Sequence, residues 1–140
     1  RSPETPSEWE RYYDLRWRVL REPWQQPPGS ERDELDSKSF HAALWDEKRP
    51  VAAGRLHFNS PTEAQIRYMA VESDRQGDGL GSRVLAALEK HARDAGARTV
   101  ILNARADAAP FYRRHGYTEI GSAGLLFGSI PHFKMIKQLG

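Results

Sequence analysis

A chain of 140 residues, 39% hydrophobic and 29% charged, has the size of one compact domain with one core, and its composition excludes the disordered and fibrous classes. It contains no cysteine, so disulfides and thiol chemistry are excluded, and His, carboxylates, Tyr and backbone groups must carry any reaction. The net charge is only +2, with Lys and Arg interleaved with Asp and Glu, and no apolar run approaches the ~20 residues that cross a bilayer.

These features lead us to expect a single domain over residues 1–140, with neither a nucleic-acid nor a membrane partner. The first ten residues hold no stretch like the apolar core of a secretory signal, and a cytoplasmic protein is the simplest reading. Whether the chain works alone or as a homodimer is left open.

In chain order, Trp9, Tyr13, Trp17 and Leu20 recur at steps of four and three among Glu and Arg, which predicts an amphipathic helix over 8–21, capped by Ser7 and stopped by Pro23. Residues 25–39 are polar and lack an apolar period, as in a surface loop or short helix. Phe40 to Trp45 and Val51 to Phe58 read as strands of a hairpin turning at residues 46–49. A third strand, Ala64 to Val71, places Ile66, Tyr68 and Ala70 on one face and Arg67, Met69 and Val71 on the other.

A helix over 82–95 follows a glycine-rich turn, with Val84, Leu88, His91, Ala92 and Ala95 on one stripe and Gly96 just past its end. Val100-Ile101-Leu102 then has the uninterrupted apolar run of a strand covered on both faces in a parallel pairing. Asp107 is placed to cap a short helix ending at Gly116, and two last strands are expected near 117–127 and 133–137. The order α, β, β, β, α, β, α, β, β predicts an α/β fold with a mixed sheet flanked by helices.

The segment Gln76-Gly77-Asp78-Gly79-Leu80-Gly81-Ser82 lies between a strand and a helix start. Glycines there let consecutive N–H groups turn around an anion, and the helix adds unpaired N–H groups and a favourable dipole. An ordinary turn is the plain alternative. The spacing is not that of a dinucleotide fingerprint, and no Lys-Ser or Lys-Thr pair follows as in a nucleotide-triphosphate loop.

With Gln76, Gly79 and Gly81 in this pattern, the segment resembles the acetyl-CoA motif of the GNAT superfamily of N-acetyltransferases. The preceding Met69-Ala70-Val71 looks like that family's splayed strand, and the run from Leu102 to Arg105 followed by Ala108 to Tyr117 is similar to its second block.

The resemblance implies a central, mostly antiparallel mixed sheet with a splayed parallel pair. It also implies acetyl-CoA as acyl donor, no metal, and direct transfer to a primary amine of a small molecule, peptide or protein. On the donor side it implies contacts from Met69, Ala70 and Val71 and from Gln76, Gly77, Asp78, Gly79, Leu80, Gly81 and Ser82. Asn103, Ala109, Phe111, Tyr112 and Arg114 complete that set.

Tyr112 is similar to the family's general acid, the plain alternative being a buried helix aromatic. Asp78 departs from the pattern, since a carboxylate beside a diphosphate is unhelpful, and is expected to point into solvent. Gln65 stands where some members carry a catalytic Glu, and an amide cannot act as a base. For the acceptor, the sequence offers the acidic stretch Glu31, Asp33, Glu34 and Asp36 to attract a cationic amine, with His41 or His132 as base or relay. A solvated loop with surface histidines is the bland alternative. Two other readings are a coenzyme A-binding sensor or regulatory module without turnover, and a general phosphate-binding domain that leaves residues 103–117 unexplained.

Overall fold

The computed structural model describes residues 1–127 and 130–140. Helix α1 (Pro6–Leu20) is followed, after a polar stretch containing two short 3-10 turns, by strands β1 (Phe40–Asp46), β2 (Arg49–Ser60) and β3 (Glu63–Val71). Helix α2 (Leu80–Asp94), β4 (Thr99–Arg105), the short helix α3 (Ala109–Arg114), β5 (Thr118–Leu126) and β6 (Ile130–Gln138) complete the chain. The six strands form one sheet in the order β1-β2-β3-β4-β6-β5, antiparallel throughout except for the β3–β4 pair that α2 connects. The expected mixed sheet with a parallel pair is what the chain forms.

The expected element types are all present, but several details differ. Thr5, not Ser7, caps α1: its side chain accepts from the Glu8 N–H at 3.1 Å, and Pro6 takes the first helical position, where a missing N–H does no harm. The residues of α1 that are fully buried are Tyr12, Leu15 and Arg16, so the expected stripe of Trp9, Tyr13, Trp17 and Leu20 flanks the buried line rather than forming it. Ala108, not Asp107, takes the N-cap position of α3 and has no polar side chain to cap it, while Asp107 is exposed and pairs with Arg105 at 3.3 Å.

Two cores lie on opposite faces of the sheet. On one, Leu80, Val84, Leu85, Leu88 and Ala92 of α2 pack over Ala52, Leu56, Ile66, Val100, Leu102 and Met135. His91 and Ala95, expected on that stripe, are exposed, with the His91 ring stacked 3.8 Å from that of Phe40. On the other face, Tyr12 and Leu15 of α1 pack over Ala43, Ala53 and Ala70.

The third strand does not keep its alternation. Tyr68 has a positive φ of 58°, and the β2–β3 register slips between Ala53 and Arg55, so Tyr68 and Met69 together oppose Gly54. This bulge exchanges faces: Ile66, Met69 and Val71 join the α2 core, while Ala70 joins the α1 core. The expected grouping of Ile66 with Tyr68 and Ala70 is thereby overturned. Gly54 is required where it stands, because a Cβ there would sit 2.6 Å from Met69 Sδ and 2.8 Å from both Leu88 Cδ1 and Val84 Cγ1.

Candidate active site

Strands β3 and β4 are paired from Glu63/Thr99 only as far as Ile66/Leu102. Beyond that point β4 stays with β6, through Asn103–Lys134, Ala104–Phe133 and Arg105–His132, while β3 follows β2 and bends at its bulge. A bulge adds local twist and curvature, which is the physical reason for the parting. It leaves the backbone of residues 67–71 without a partner strand on its β4 side, an edge able to take an extended group. A cleft of about 520 Å³ opens at this point, with Met69, Asn103 and Tyr112 in its walls.

At the end of β3 the chain enters the glycine turn. Gly77 and Gly79 have φ of +90° and +77°, and the space where their Cβ atoms would stand is open. Gly79 is the N-cap of α2 and no side chain caps the helix, so the first-turn N–H groups are left for an outside acceptor. Gly81 brings the two sequence blocks together: a Cβ there would lie 3.4 Å from Phe111 Cζ and 3.6 Å from Val71 Cγ2. Asp78 is exposed, and it pairs with Arg75, which also reaches Asp46. Gln76 and Arg114 are exposed, Ala109 is buried, and the Ser82 hydroxyl lies 2.9 Å from His115 Nε2.

Tyr112 is 7% exposed, and among the described residues its hydroxyl makes no hydrogen bond to protein. Burial pushes that hydroxyl above the ordinary tyrosine range, so it stays protonated and able to donate. A buried donor facing a cleft without a partner calls for an acceptor that arrives with a ligand.

The sequence-derived acceptor residues are spread out. His132 borders the cleft, and its Nδ1 lies 3.0 Å from the Ile130 carbonyl, to which it donates; the neutral ring then keeps an open lone pair on Nε2. The base role expected for His41 does not fit its surroundings. It is 3% exposed, Arg16 Nη2 and the Tyr12 hydroxyl crowd Nδ1 at 3.2 and 2.8 Å, and Nε2 faces the Asp36 carbonyl at 2.8 Å. Burial holds it below the ordinary histidine range, and it does not line the cleft.

Of the acidic stretch, only Glu34 is exposed. Asp36 pairs with Arg16 at 2.8 Å and Arg55 at 3.2 Å, Asp33 with Arg55 and Arg67, and Glu31 with Arg32 at 3.3 Å. These carboxylates neutralise arginines of the fold and do not border the cleft.

Sequence reading missed the residues that do border it on the α1 side: Arg21, His57, Arg67 and Tyr68. A signal was present. Arg55 and His57 alternate in one strand, Gln65 and Arg67 in the next, and the register pairs Arg55 with Arg67 and His57 with Gln65. The guanidinium carbons of Arg16, Arg21, Arg55 and Arg67 all lie 4.5 to 5.4 Å from the Tyr68 ring centre.

A family model described as "Acetyltransferase (GNAT) family" matches residues 9–117. This chain belongs to the GNAT acetyltransferase family. It is 39% identical over 112 residues to the uncharacterized N-acetyltransferase YjcF of Bacillus subtilis strain 168, covering 80% of this chain and 79% of that one. Among solved structures it superposes on a putative N-acetyltransferase from Lactobacillus plantarum with a TM-score of 0.85 at 23% identity, covering 97% and 94% of the two chains. An aminoglycoside 6'-N-acetyltransferase solved with coenzyme A gives 0.80 at 18%, covering 96% and 92%. At these identities the two solved structures speak to the shared fold. The protein is an acyltransferase of this fold.

Proposed function

We propose that this protein transfers an acetyl group from acetyl-CoA to a primary amine by direct attack, in the cleft between β3 and β4. One observation carries the reading: the parallel pair ends at Ile66/Leu102, between the uncapped start of α2 and the unpartnered Tyr112 hydroxyl. The N–H groups of residues 77–82 hold the donor's diphosphate, with Arg83 and Arg114 exposed nearby in sequence as further cations. The free β3 edge at Met69, Ala70 and Val71 faces Asn103 and binds the extended pantetheine arm by backbone pairing. The donor supplies an activated thioester carbonyl.

The residues of the chain divide the remaining work. A β3 backbone N–H steadies the oxyanion as the amine adds to the carbonyl. The Tyr112 hydroxyl gives its proton to the sulfur as the carbon–sulfur bond breaks. His132, with Nε2 free, takes the amine's proton directly or through water. His57 is less suited, because Arg55 Nη2 donates to its Nδ1 at 3.2 Å and its Nε2 faces Asn59 Oδ1 at 3.1 Å. The aminoglycoside acceptor of the structural neighbour does not carry over, since no carboxylate among the described residues lines the cleft to receive a polycation.

Coenzyme A should raise the thermal midpoint of the protein, while ATP and NAD leave it unchanged. Thiol release from acetyl-CoA in the presence of a panel of primary amines reports turnover. Equal stabilisation by ATP would sink the assignment of the glycine turn.

A further inference from the structure

Resting on the acetyltransferase reading, we infer that the acceptor amine carries an anionic oxygen group, a carboxylate or phosphate, which Arg21, Arg67 and Arg105 receive at the α1 side of the cleft. The cleft borders contain these three arginines together with His57 and His132, and no Asp or Glu among the described residues. Arg21 is the decisive member. Its guanidinium is 8% exposed and donates to the Ser30 and Leu20 carbonyls at 3.0 and 3.1 Å, and no carboxylate among the described residues lies within ion-pair distance. A buried cation with no carboxylate in contact is costly, and burial pulls it below the ordinary arginine range, outweighing the more distant pull of Glu31.

The nearby acids do not compensate. Asp33 and Asp36 are shared among Arg16, Arg55 and Arg67, and the buried Glu31, paired with the half-exposed Arg32, attracts Arg21 without touching it, so the four guanidiniums around Tyr68 face three carboxylates. Asp107 meets Arg105 from solvent, with 73% of its side chain exposed, which screens that pair strongly.

None of residues 76–82 lines the cleft that holds these arginines, so a diphosphate at the glycine turn does not account for the excess. A cationic wall repels an ammonium and attracts an oxyanion. It also favours the uncharged form of a nearby amine, which is the form that attacks a thioester. A planar guanidinium suits both carboxylate and phosphate oxygens through paired donors.

The test is a matched acceptor panel: ω-amino carboxylates of increasing length, their primary amides, phosphoethanolamine, ethanolamine and α,ω-diamines. Acetylation should favour the carboxylates or phosphoethanolamine over their uncharged and dicationic counterparts by about 10-fold or more in kcat/KM, the range of one charge-assisted hydrogen bond. Whether the carboxylates or phosphoethanolamine lead identifies the anion. Arg21→Gln should raise KM for the preferred acceptor about 10-fold and leave KM for acetyl-CoA unchanged. Because Arg21 is buried and its loss could impair folding, Arg67→Glu provides an independent arm: with a half-exposed side chain, it should swing preference toward the diamines.

Amides or diamines used as well as the carboxylates overturn the inference. So does a protein that is stabilised by coenzyme A yet acetylates none of the anionic amines. Absence of any coenzyme A stabilisation brings down the acetyltransferase reading and this one together.

Discussion

The two faces of the sheet are built on opposite principles. Under α2 the core is Leu, Val, Ile and Ala, and the part next to it that we propose holds the donor consists of backbone: the glycine turn, the free edge of β3 and the start of a helix. Under α1 the core encloses Arg16, Arg55, His41 and Asp36 in a hydrogen-bonded network, and the adjacent part of the cleft is made of side chains. An apolar core tolerates loss of a methyl group by partial collapse, whereas a buried charge network loses a whole compensating charge. Under the proposed function the donor half is therefore robust and generic, and the acceptor half specific and easily broken.

The largest expected effect breaks that network. Asp36→Ala leaves Arg16 and Arg55, both 0% exposed, without the carboxylate they share, and unfolding in urea should show a loss of about 3–5 kcal/mol. A loss near that of an exposed pair, about 1 kcal/mol or less, would show that the network is not worth its burial.

Acid should act on the same group. Burial opposes ionisation of Asp33 and Asp36, but the arginines and backbone N–H groups outweigh it and hold both carboxyls below the ordinary carboxylate range. Their contribution is complete at neutral pH and is lost as pH falls through the depressed folded values. His41, held low by burial, binds a proton more readily when unfolded, so its loss begins higher, below about pH 6.5. The thermal midpoint should fall in two stages, first below about pH 6.5 and again below about pH 4, and the first stage should vanish in His41→Gln.

On the donor half the next effect is chemical. Tyr112→Phe keeps the ring in place and should reduce kcat by about 10²-fold while coenzyme A affinity, read by its thermal shift, stays near that of the parent. Turnover within twofold of the parent would return Tyr112 to a packing role.

The contrast between the halves also explains what could be read in advance. Glycines at 77, 79 and 81, the Val71 strand and the run to Tyr112 carry their meaning in local order, because backbone geometry is a local property. The arginine network is assembled from α1, the polar stretch, β1 and β2, and the partners of its arginines lie up to 25 residues apart. Residues 31–36 look like a solvated acidic run until the fold turns two of them inward onto those arginines. The bulge at Tyr68 has no glycine or proline to announce it, so strict alternation assigned its neighbours to the wrong faces.

That bulge gives a further prediction. Gly54→Ala places a Cβ against Met69, Leu88 and Val84, and overpacking of this kind costs about 1–3 kcal/mol. Since Met69 borders the cleft, coenzyme A affinity should fall along with stability. A loss of stability without any change in affinity would separate the bulge from the donor site.

The smallest effect compares the two helix starts directly. Helix α1 is closed by its own residue, Thr5, whose side chain satisfies the Glu8 N–H, and Thr5→Ala should lower stability by about 1 kcal/mol with no change in coenzyme A binding. Ser7→Ala, at the position that local pattern alone favours as the cap, should be close to neutral. Helix α2 is left open at Gly79, where φ is +77° and a side chain would strain the backbone. Gly79→Ala should therefore cost about 1–2 kcal/mol of backbone strain and also weaken coenzyme A binding, because relief of that strain moves the N–H groups proposed to hold the diphosphate. If Gly79→Ala loses stability but binds coenzyme A like the parent, the open end of α2 is a turn requirement and not a ligand site, and the distinction between a self-capped and a ligand-capped helix fails.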